Sequence, residues 1–590
     1  MIKKWKVKSK IPSELLSNYK NFDPFLGQLL YNRGLMEPPQ ITEFLNTEYH
    51  RLHSPFLFKD MQIAVQRIWQ AIETKEKICV YGDYDADAIT ANAVLLQTFR
   101  YLGMEAEYYI PDRFSEGYGV NLEALESIKH KGVNVIITVD CGTNSTEAVE
   151  WCKNNGIDII ITDHHEIIGH IPEAFALINP KNVEDNYPDK EITGVGVAFK
   201  LACGLLSEKD KVKSRFNKPL SHSDALVDSS QVLGGENRYV SGWEKWLLDL
   251  VAIGTVADCH KLLGENRILV KYGLVVLAKT KWLGLRALVL SAGLDFHKQL
   301  PDTYTLGFVL APRLNATGRL EHAGLALDLL MCKDEVTAQQ SAMGIEQINR
   351  KRQDTTALML SEAREKALLI QDRKVLAIMD PNWHKGVVGL VAGKLAEEFY
   401  KPTFILSQNE KEATGSARTV GEFNVLSALT YSAKHLIRFG GHKQAAGLTL
   451  ESNNFEQFYF SVLEYANHNL PEEGSRPVLE LEAELNASSL TPITYNLLTN
   501  LEPFGVGNPK PKFLIKSAEV ISQRPVGTNK QHLQMQIKVG EREVSAIAFN
   551  FKPVELKGEI NIACELLLDE WKGRKNLKLR IIDIQSHLNI

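Results

Sequence analysis

From Ile78 onward the chain alternates short apolar runs of strand length with longer stretches of helical periodicity. ICVYGDYD is followed by a helical pattern around Asn92–Leu102, and VNVIITVD by one around Ser145–Asn155. GIDIIITDHH follows as a third run. Runs that are apolar on both faces belong to fully buried strands, and helices between them make the sheet parallel. The pattern predicts an α/β domain over residues 56–333 whose chemistry lies beyond the carboxyl ends of its strands. Within it, the polar stretch of about 205–245 reads as a surface insertion. Residues 1–55, polar with short helical stretches, read as an N-terminal extension packed on the rest of the chain. Residues 334–371 contain no proline and one glycine and predict a long connecting helix. A second, smaller α/β unit is expected over 372–470: KVLAIMD as strand, GVVGLVAGKLAEEFY as helix, TFILS as strand, and a helix through Leu426–Ile437. Over 471–590 short alternating runs with turn residues between them suit a small antiparallel barrel such as an OB-fold.

Composition narrows the class. The chain has 590 residues, too many for one core. Its net charge of -5 excludes a protein that coats nucleic acid with its whole surface, so any such site is local. From Pro503 on there are 14 Lys and Arg against 9 Asp and Glu, the bias a single-strand groove requires. No apolar run approaches the ~18 residues of a membrane span, and no apolar segment follows the basic N-terminus. Seven scattered cysteines without a C-x-x-C pair argue against a disulfide framework and a thiolate zinc site. A reducing, cytoplasmic compartment is expected.

The candidate chemistry lies at the ends of the apolar runs. Asp83, Asp85 and Asp87 alternate in VYGDYDADAIT, which puts them on one face if the segment is extended. Three carboxylates on one face repel each other and are tolerated when a divalent cation neutralises them. The plainer reading is an acidic turn in which Asp87 caps the following helix. The other runs favour metal. VIITVD ends on Asp140, DIIITDHH on Asp163, His164 and His165, and LVAIGTVAD on Asp258. Such oxygen-rich donors with one imidazole suit manganese or magnesium. Carboxylates shared between two ions would make a hydrolase, one ion generating hydroxide and the other stabilising phosphoryl charge.

In this order, GDYDADAIT, TVDCG, TDHH and IGTVAD resemble the DHH phosphoesterase family. Further motifs narrow the resemblance to its single-strand-specific exonuclease branch: PDRFSEGYGVN at 111–121, TGVGVAFKL at 193–201, APRLNATGRL at 311–320, WHKGVVGLVAGKL at 383–395, GSART at 415–419, FGGHKQAAGLTL at 439–450 and EPFGVGNPKPKF at 502–513. The series runs from about residue 25 to the C-terminus. The resemblance implies that Asp85 and Asp140 hold one metal and that Asp87, Asp140, His164 and Asp258 hold the second. Asp83, Asp163 and His165 would orient ligands or contact the scissile phosphate. It implies that Arg113, Arg313 and Asn315 lie near the substrate backbone, that Ser416 and Arg418 receive the terminal 5′-phosphate, and that His442, in a DHH-associated domain, faces the metals. Ala88 and Cys141 stand where the family usually has glycine and asparagine.

Taken singly, loop arginines are mostly solvated surface charges. GSAR and APRLNATGR gain weight from glycine and small neighbours that let a phosphate reach backbone N–H groups and a guanidinium together. Phe504, Phe513, Phe549, Phe551 and Trp571 are either barrel core or stacking partners for bases. The expected activity is 5′-to-3′ exonuclease action on single-stranded DNA with two manganese or magnesium ions, in repair and recombination. The resemblance further implies a monomer with single-strand-binding protein and a helicase as partners. The alternatives are an oligonucleotide or cyclic-dinucleotide phosphodiesterase, which would need no barrel, and a catalytically dead strand binder, which would need no ligand set.

Overall fold

In a computed structural model, which describes residues 3–117, 119–216, 242–471, 477–551, 556, 558–571 and 574–586, five parallel strands make the first sheet. These are β1 (Lys77–Gly82), β2 (Glu107–Tyr109), β3 (Val133–Val139), β4 (Asp158–Thr162) and β5 (Ala176–Ile178), in the order β2-β1-β3-β4-β5. Ile78, Val80, Val135, Ile137 and Ile160 enter one core, and Cys79, Tyr81, Ile136, Ile159 and Ile161 enter another on the opposite face. Two-sided burial is why these runs carry no polar alternation. The strand order reverses between β1 and β3, so the crevice outside their carboxyl ends is the switch point at which such sheets bind ligands. Asp83 follows β1 and Asp140 follows β3.

Helices α1 (Ala86–Leu102), α2 (Gly194–Phe216) and α3 (Leu248–Ala257) contribute to the first of these cores. Three expectations change here. α1 begins at Ala86, not near Asn92, because it is buried at every position from Ala86 to Phe99 and has no amphipathic period to mark its first turns. LVAIGTVAD forms α3, so Asp258 stands at the C-terminus of a helix and not at a strand end. α3 is buried from Leu248 through Thr255, and a helix buried all round reads like a buried strand. APRLNATGRL forms helix α4 (Ala311–Leu320), not a loop, directly after a π-helical turn at Thr305–Leu310. Of the polar stretch at 205–245, the part to Phe216 continues α2, and residues 217–241 lie outside the described residues.

The chain divides into two units: Met1–Lys6, Arg319–Glu321 and Glu346–Leu479 in one, and Val7–Gly318, His322–Ile345 and Glu480–Ile590 in the other. Helix α5 (Glu335–Leu369) runs for 35 residues. The first unit carries helix α6 (Val388–Phe399) and a mixed sheet of β6 (Leu376–Asp380), β7 (Thr403–Gln408), β8 (Glu412–Arg418), β9 (Arg438–Gly441) and β10 (Ala445–Glu451), in the order β9-β10-β8-β7-β6. Only β6 and β7 are parallel. The helix expected through Leu426–Ile437 is shorter, Val425–Tyr431 with a 3₁₀ turn behind it, because β9 begins at Arg438.

The second unit also holds the C-terminal barrel: β11 (Phe513–Val526), β12 (His532–Val539), β13 (Arg542–Ala548), β14 (Glu559–Trp571) and β15 (Arg574–Ser586). They follow the closed order β11-β12-β13-β15-β14-β11. The barrel is not wholly antiparallel, since β13 and β15 run parallel. A closed five-stranded barrel of this connectivity is an OB-fold. Phe513 is fully buried core, Phe504 and Phe551 are half-buried, Phe549 is exposed, and the Trp571 side chain lies outside the described residues. The N-terminal extension packs on this barrel, at the far end of the chain: Tyr19, Leu26, Leu29, Leu30, Ile41 and Phe44 share its core. Buried Arg267 ties the extension to the segment before the barrel, donating to the carbonyls of Phe44 (3.2 Å) and Leu501 (2.9 Å).

Candidate metal centre and phosphate pocket

The loop after β1 is fixed by its own carboxylates. Asp85 is the N-cap of α1, accepting from the backbone N–H groups of Asp87 (2.9 Å) and Ala88 (3.1 Å). Asp87 does not cap α1, as the plainer sequence reading had it. Its two oxygens accept from Gly194 and Val195, both at 3.0 Å, at the start of α2. A carboxylate offers about four lone-pair sites, so Asp87 keeps capacity to ligate. Gly194 is required there, since a Cβ would fall 2.7 Å from Asp140 Oδ1. This gives the TGVG motif its place: it presents amides to Asp87 and makes room for Asp140. Asp140 itself has φ 58°, an uncommon left-handed conformation of the kind that clusters at functional sites.

Asp140, Asp163, His164 and His165 bring ligand atoms within 4.8 Å of one another, and so do His164, Asp258 and His260. His164 Nε2 lies 2.9 Å from Asp140 Oδ1 and 3.7 Å from Asp258 Oδ2. None of these atoms is aligned for a hydrogen bond. Among the described residues, Asp83 Oδ1, Asp140 Oδ1, Asp258 Oδ2 and both ring nitrogens of His164 are buried without a hydrogen-bond partner. Buried polar atoms are almost always paired. Two donors to a common ion at ~2.1 Å stand roughly 3–4 Å apart. The spacing and the missing partners fit a divalent cation. Asp163 instead is satisfied: it accepts from Thr143 N (2.9 Å) and His164 N (2.7 Å) and pairs with His165 Nδ1 at 2.7 Å.

The electrostatics agree. Burial, then the charge of Asp85, pushes Asp87 up to about 7. Burial, then Asp87 and Asp85, pushes Asp258 up to about 9. Asp83 and Asp140 are raised by burial first and neighbouring carboxylates second. Burial acts to raise Asp163 too, but its bond to His165 outweighs this and holds it below the usual carboxylate range. In return His165 is raised against its burial by Asp163, while burial and then His165 keep His164 well below the ordinary imidazole range. Crowded carboxylates of this kind retain their protons unless a cation supplies the missing charge.

The remaining predicted residues fall in three places. Asn315, on α4, uses its amide oxygen to accept from Ala86 N at 2.9 Å, which braces the metal loop. Arg113 lies over the Tyr84 ring at 4.7 Å, close enough to favour the charged form of Asp83. Arg313 Nη1 donates to Val309 O at 2.7 Å within its own helix. In the other unit, Ser416 and Arg418 stand on one face of β8. Arg418 Nη1 donates to Ser416 Oγ at 2.6 Å, and Ser416 Oγ to Ala446 O at 3.3 Å. Gly389, in the first turn of α6, comes so close that a Cβ on it would lie 3.0 Å from Arg418 Nη2. The expected role of Gly415 changes. Its missing Cβ would meet Leu406 and the Ile405 carbonyl at 2.5 and 2.6 Å, so it serves sheet packing, not approach to a phosphate. The anion-binding elements here are two side chains and a helix N-terminus. His442 is exposed in the turn between β9 and β10, its backbone N–H donating to Ala445 O at 2.8 Å. His260 was missed by the sequence reading. One histidine in DCHKL has no spacing to mark it, and Asp258 was read as closing a strand.

Three families match the chain: the DHH family, N-terminal domain over residues 77–225, the DHHA1 domain over 372–467 and the RecJ OB domain over 481–583. The single-stranded-DNA-specific exonuclease RecJ of Bacillus subtilis is 37% identical over 583 residues, covering 96% of this chain and 69% of that protein. The RecJ of Haemophilus influenzae is 30% identical over 585 residues, covering 96% of this chain and 97% of that protein. The crystal structure of RecJ in complex with Mn2+ from Thermus thermophilus superposes with a TM-score of 0.80 at 27% identity, covering 99% of this chain and 79% of that one. The Mg2+ complex of the same protein superposes with a TM-score of 0.74.

Proposed function

This chain belongs to the RecJ family, and from that premise we propose that it is a single-strand-specific DNA exonuclease that hydrolyses phosphodiester bonds at a two-ion manganese or magnesium centre, from the 5′ end, in repair and recombination. The observation that carries this reading is the buried set of unpartnered ligand atoms on Asp140, His164 and Asp258 at the switch point of the first sheet. Asp85 and Asp140 hold one ion, and Asp87, Asp140, His164 and Asp258 the other. When bound, the ions supply hydroxide near neutral pH and neutralise charge on the phosphoryl oxygens. Asp163 keeps His165 cationic and oriented towards the scissile phosphate. Asp83 and Arg113 form the rim on the β1 side, and Asn315 holds the metal loop in place. Arg313 serves the strand backbone.

Ser416 and Arg418 receive the terminal 5′-phosphate, which carries more charge than an internal diester. Binding energy spent there positions the first internucleotide phosphate for attack. His442 acts at the reacting phosphate, a role that rests on the resemblance alone. The OB barrel, with its basic excess, tracks the single strand. Among the described residues no helix is long and apolar enough to cross a membrane. We assign the protein to the cytoplasm as a monomer working with single-strand-binding protein and a helicase. End-labelled single strands of several lengths, digested with manganese or with EDTA, test the reading. Mononucleotide release from the 5′ end that EDTA abolishes is expected, and activity confined to dinucleotides, or none, overturns it.

A further inference from the structure

His260 stands two residues beyond Asp258, on the loop after α3. Its Nε2 lies 3.2 Å from Asp258 Oδ2, and its ring centroid lies 4.8 Å from that of His164. The other ring nitrogen, Nδ1, lies 3.0 Å from the carbonyl oxygen of Glu191. A carbonyl can only accept, so Nδ1 carries the hydrogen and Nε2 of the neutral ring presents a lone pair. Asp258 Oδ2 has no hydrogen-bond partner, so the two atoms meet as acceptor facing acceptor. His164 is 4% exposed, and neither of its ring nitrogens has a hydrogen-bond partner. Lone pairs held this close repel unless a positive centre lies between them. The separation of 3.2 Å is that of two donors on one ion. An imidazole whose far N–H is anchored on a backbone carbonyl is oriented as metal-bound histidines are.

We propose that His260 is a further ligand beside His164 and Asp258, and that its imidazole biases this ion position towards manganese and other borderline transition ions over magnesium. The proposal rests on the metal-centre reading above. Magnesium favours oxygen donors and keeps its waters, whereas a second imidazole suits later first-row ions.

Full-length protein stripped with EDTA is titrated with Mn2+, the free ion being followed by electron paramagnetic resonance, and with Mg2+ by calorimetry. The parent is compared with His260→Val and His260→Gln. Metal-free melting temperatures are measured alongside, so that a variant that does not fold is recognised. His260→Val is expected to weaken Mn2+ binding roughly 10- to 100-fold and Mg2+ binding by less than about threefold. His260→Gln, which offers an oxygen in place of the nitrogen, is expected to lose the same preference. The visible absorption of the Co2+-loaded protein should change in both variants. Equal weakening for both ions overturns the selectivity claim and makes His260 a brace. Unchanged Mn2+ affinity with an unchanged cobalt spectrum overturns ligation. A parent that binds no Mn2+ overturns the metal-centre reading itself, which separates the two failures.

Discussion

In the parallel sheet the candidate side chains hang beyond the strand ends, after β1, β3 and β4, whereas Ser416 and Arg418 stand inside β8 with β10 on one side and β7 on the other. Beyond a strand end the backbone is released from the ladder, so several carboxylates and an imidazole can converge on one point. They are held there by caps and by an amide pair from α2. The cost is mutual repulsion and orphaned atoms. Inside a strand every backbone amide is already committed, so only side chains can address a ligand. At β8 Ser416 and Arg418 are hydrogen-bonded to one another and to neighbouring carbonyls. One region is incomplete without a cation. The other is complete alone and selects by charge and shape.

The sharpest way to break this contrast is to remove the carboxylate that both ions share. Asp140→Asn keeps the size of the side chain and tolerates the left-handed backbone at this position. Turnover is expected to fall more than ~10³-fold, since the two-ion centre supplies several kcal/mol of transition-state stabilisation. Single-turnover rates at saturating Mn2+ decide it, and near-normal turnover removes Asp140 from its bridging role.

On the other side of the comparison, Arg418→Ala should act on one substrate and spare its relative. A lost charge-assisted contact of ~1.5–3 kcal/mol corresponds to roughly 10- to 200-fold on 5′-phosphorylated strands. Strands ending in a 5′-hydroxyl should slow much less. Initial rates on both ends, in parent and variant, check this. An equal loss on both would make Arg418 a support for the sheet or a general backbone contact.

The same contrast explains what could be read from the sequence. β1, β3 and β4 declare themselves because burial on both faces makes continuous apolar runs, and a carboxylate directly after such a run is conspicuous. Asp258 was found but misplaced, because α3 is buried all round and gives the same apolar signal as a strand. The mutual dependence of Gly194, Asp87 and Asp140 was not legible, since it joins positions more than a hundred residues apart. Gly415 was visible as a glycine, but the atoms it makes room for, on Leu406 and Ile405, belong to a neighbouring strand. The packing of the N-terminal extension on the barrel was hidden for the same reason. Local periodicity marks which face of a helix is apolar and not what covers it.

A smaller effect tests the barrel. Its aromatics differ in kind: Phe513 is fully buried, while Phe549 is 48% exposed, with His532 edge-on at 5.1 Å. Phe549→Ala is expected to weaken binding of long single strands about tenfold, the scale of one lost stacked base, without changing the barrel's stability. Fluorescence anisotropy against strand length measures it, and wild-type affinity on long strands would make Phe549 a surface residue without a role. Phe513→Ala should instead lower the melting temperature by opening a core cavity.

The smallest expected effect concerns pH, and it separates the two regions without changing a residue. In the folded metal-free protein Asp87 titrates at about 7 and Asp258 at about 9, against 3.8 for an ordinary aspartate. Between the ordinary value and these raised values the folded state binds more protons than the unfolded state, so the free energy of unfolding falls as pH rises. The loss begins near pH 4 and is complete for Asp87 above about 7 and for Asp258 above about 9. The metal-free protein should therefore melt lower at pH 9 than at pH 6, by on the order of a few degrees for a chain of this size. Saturating Mn2+ should reverse the sign of the slope, because the ion takes the place of the protons and binds better as they leave. Ser416 and Arg418 contribute nothing to this dependence, so Arg418→Ala should shift the whole curve without altering its slope. Differential scanning calorimetry from pH 5 to 9, with EDTA and with Mn2+, gives all the curves. A metal-free melting temperature that rises over this interval would mean that the carboxylates at the switch point are already paired, and that the cation is not what completes them.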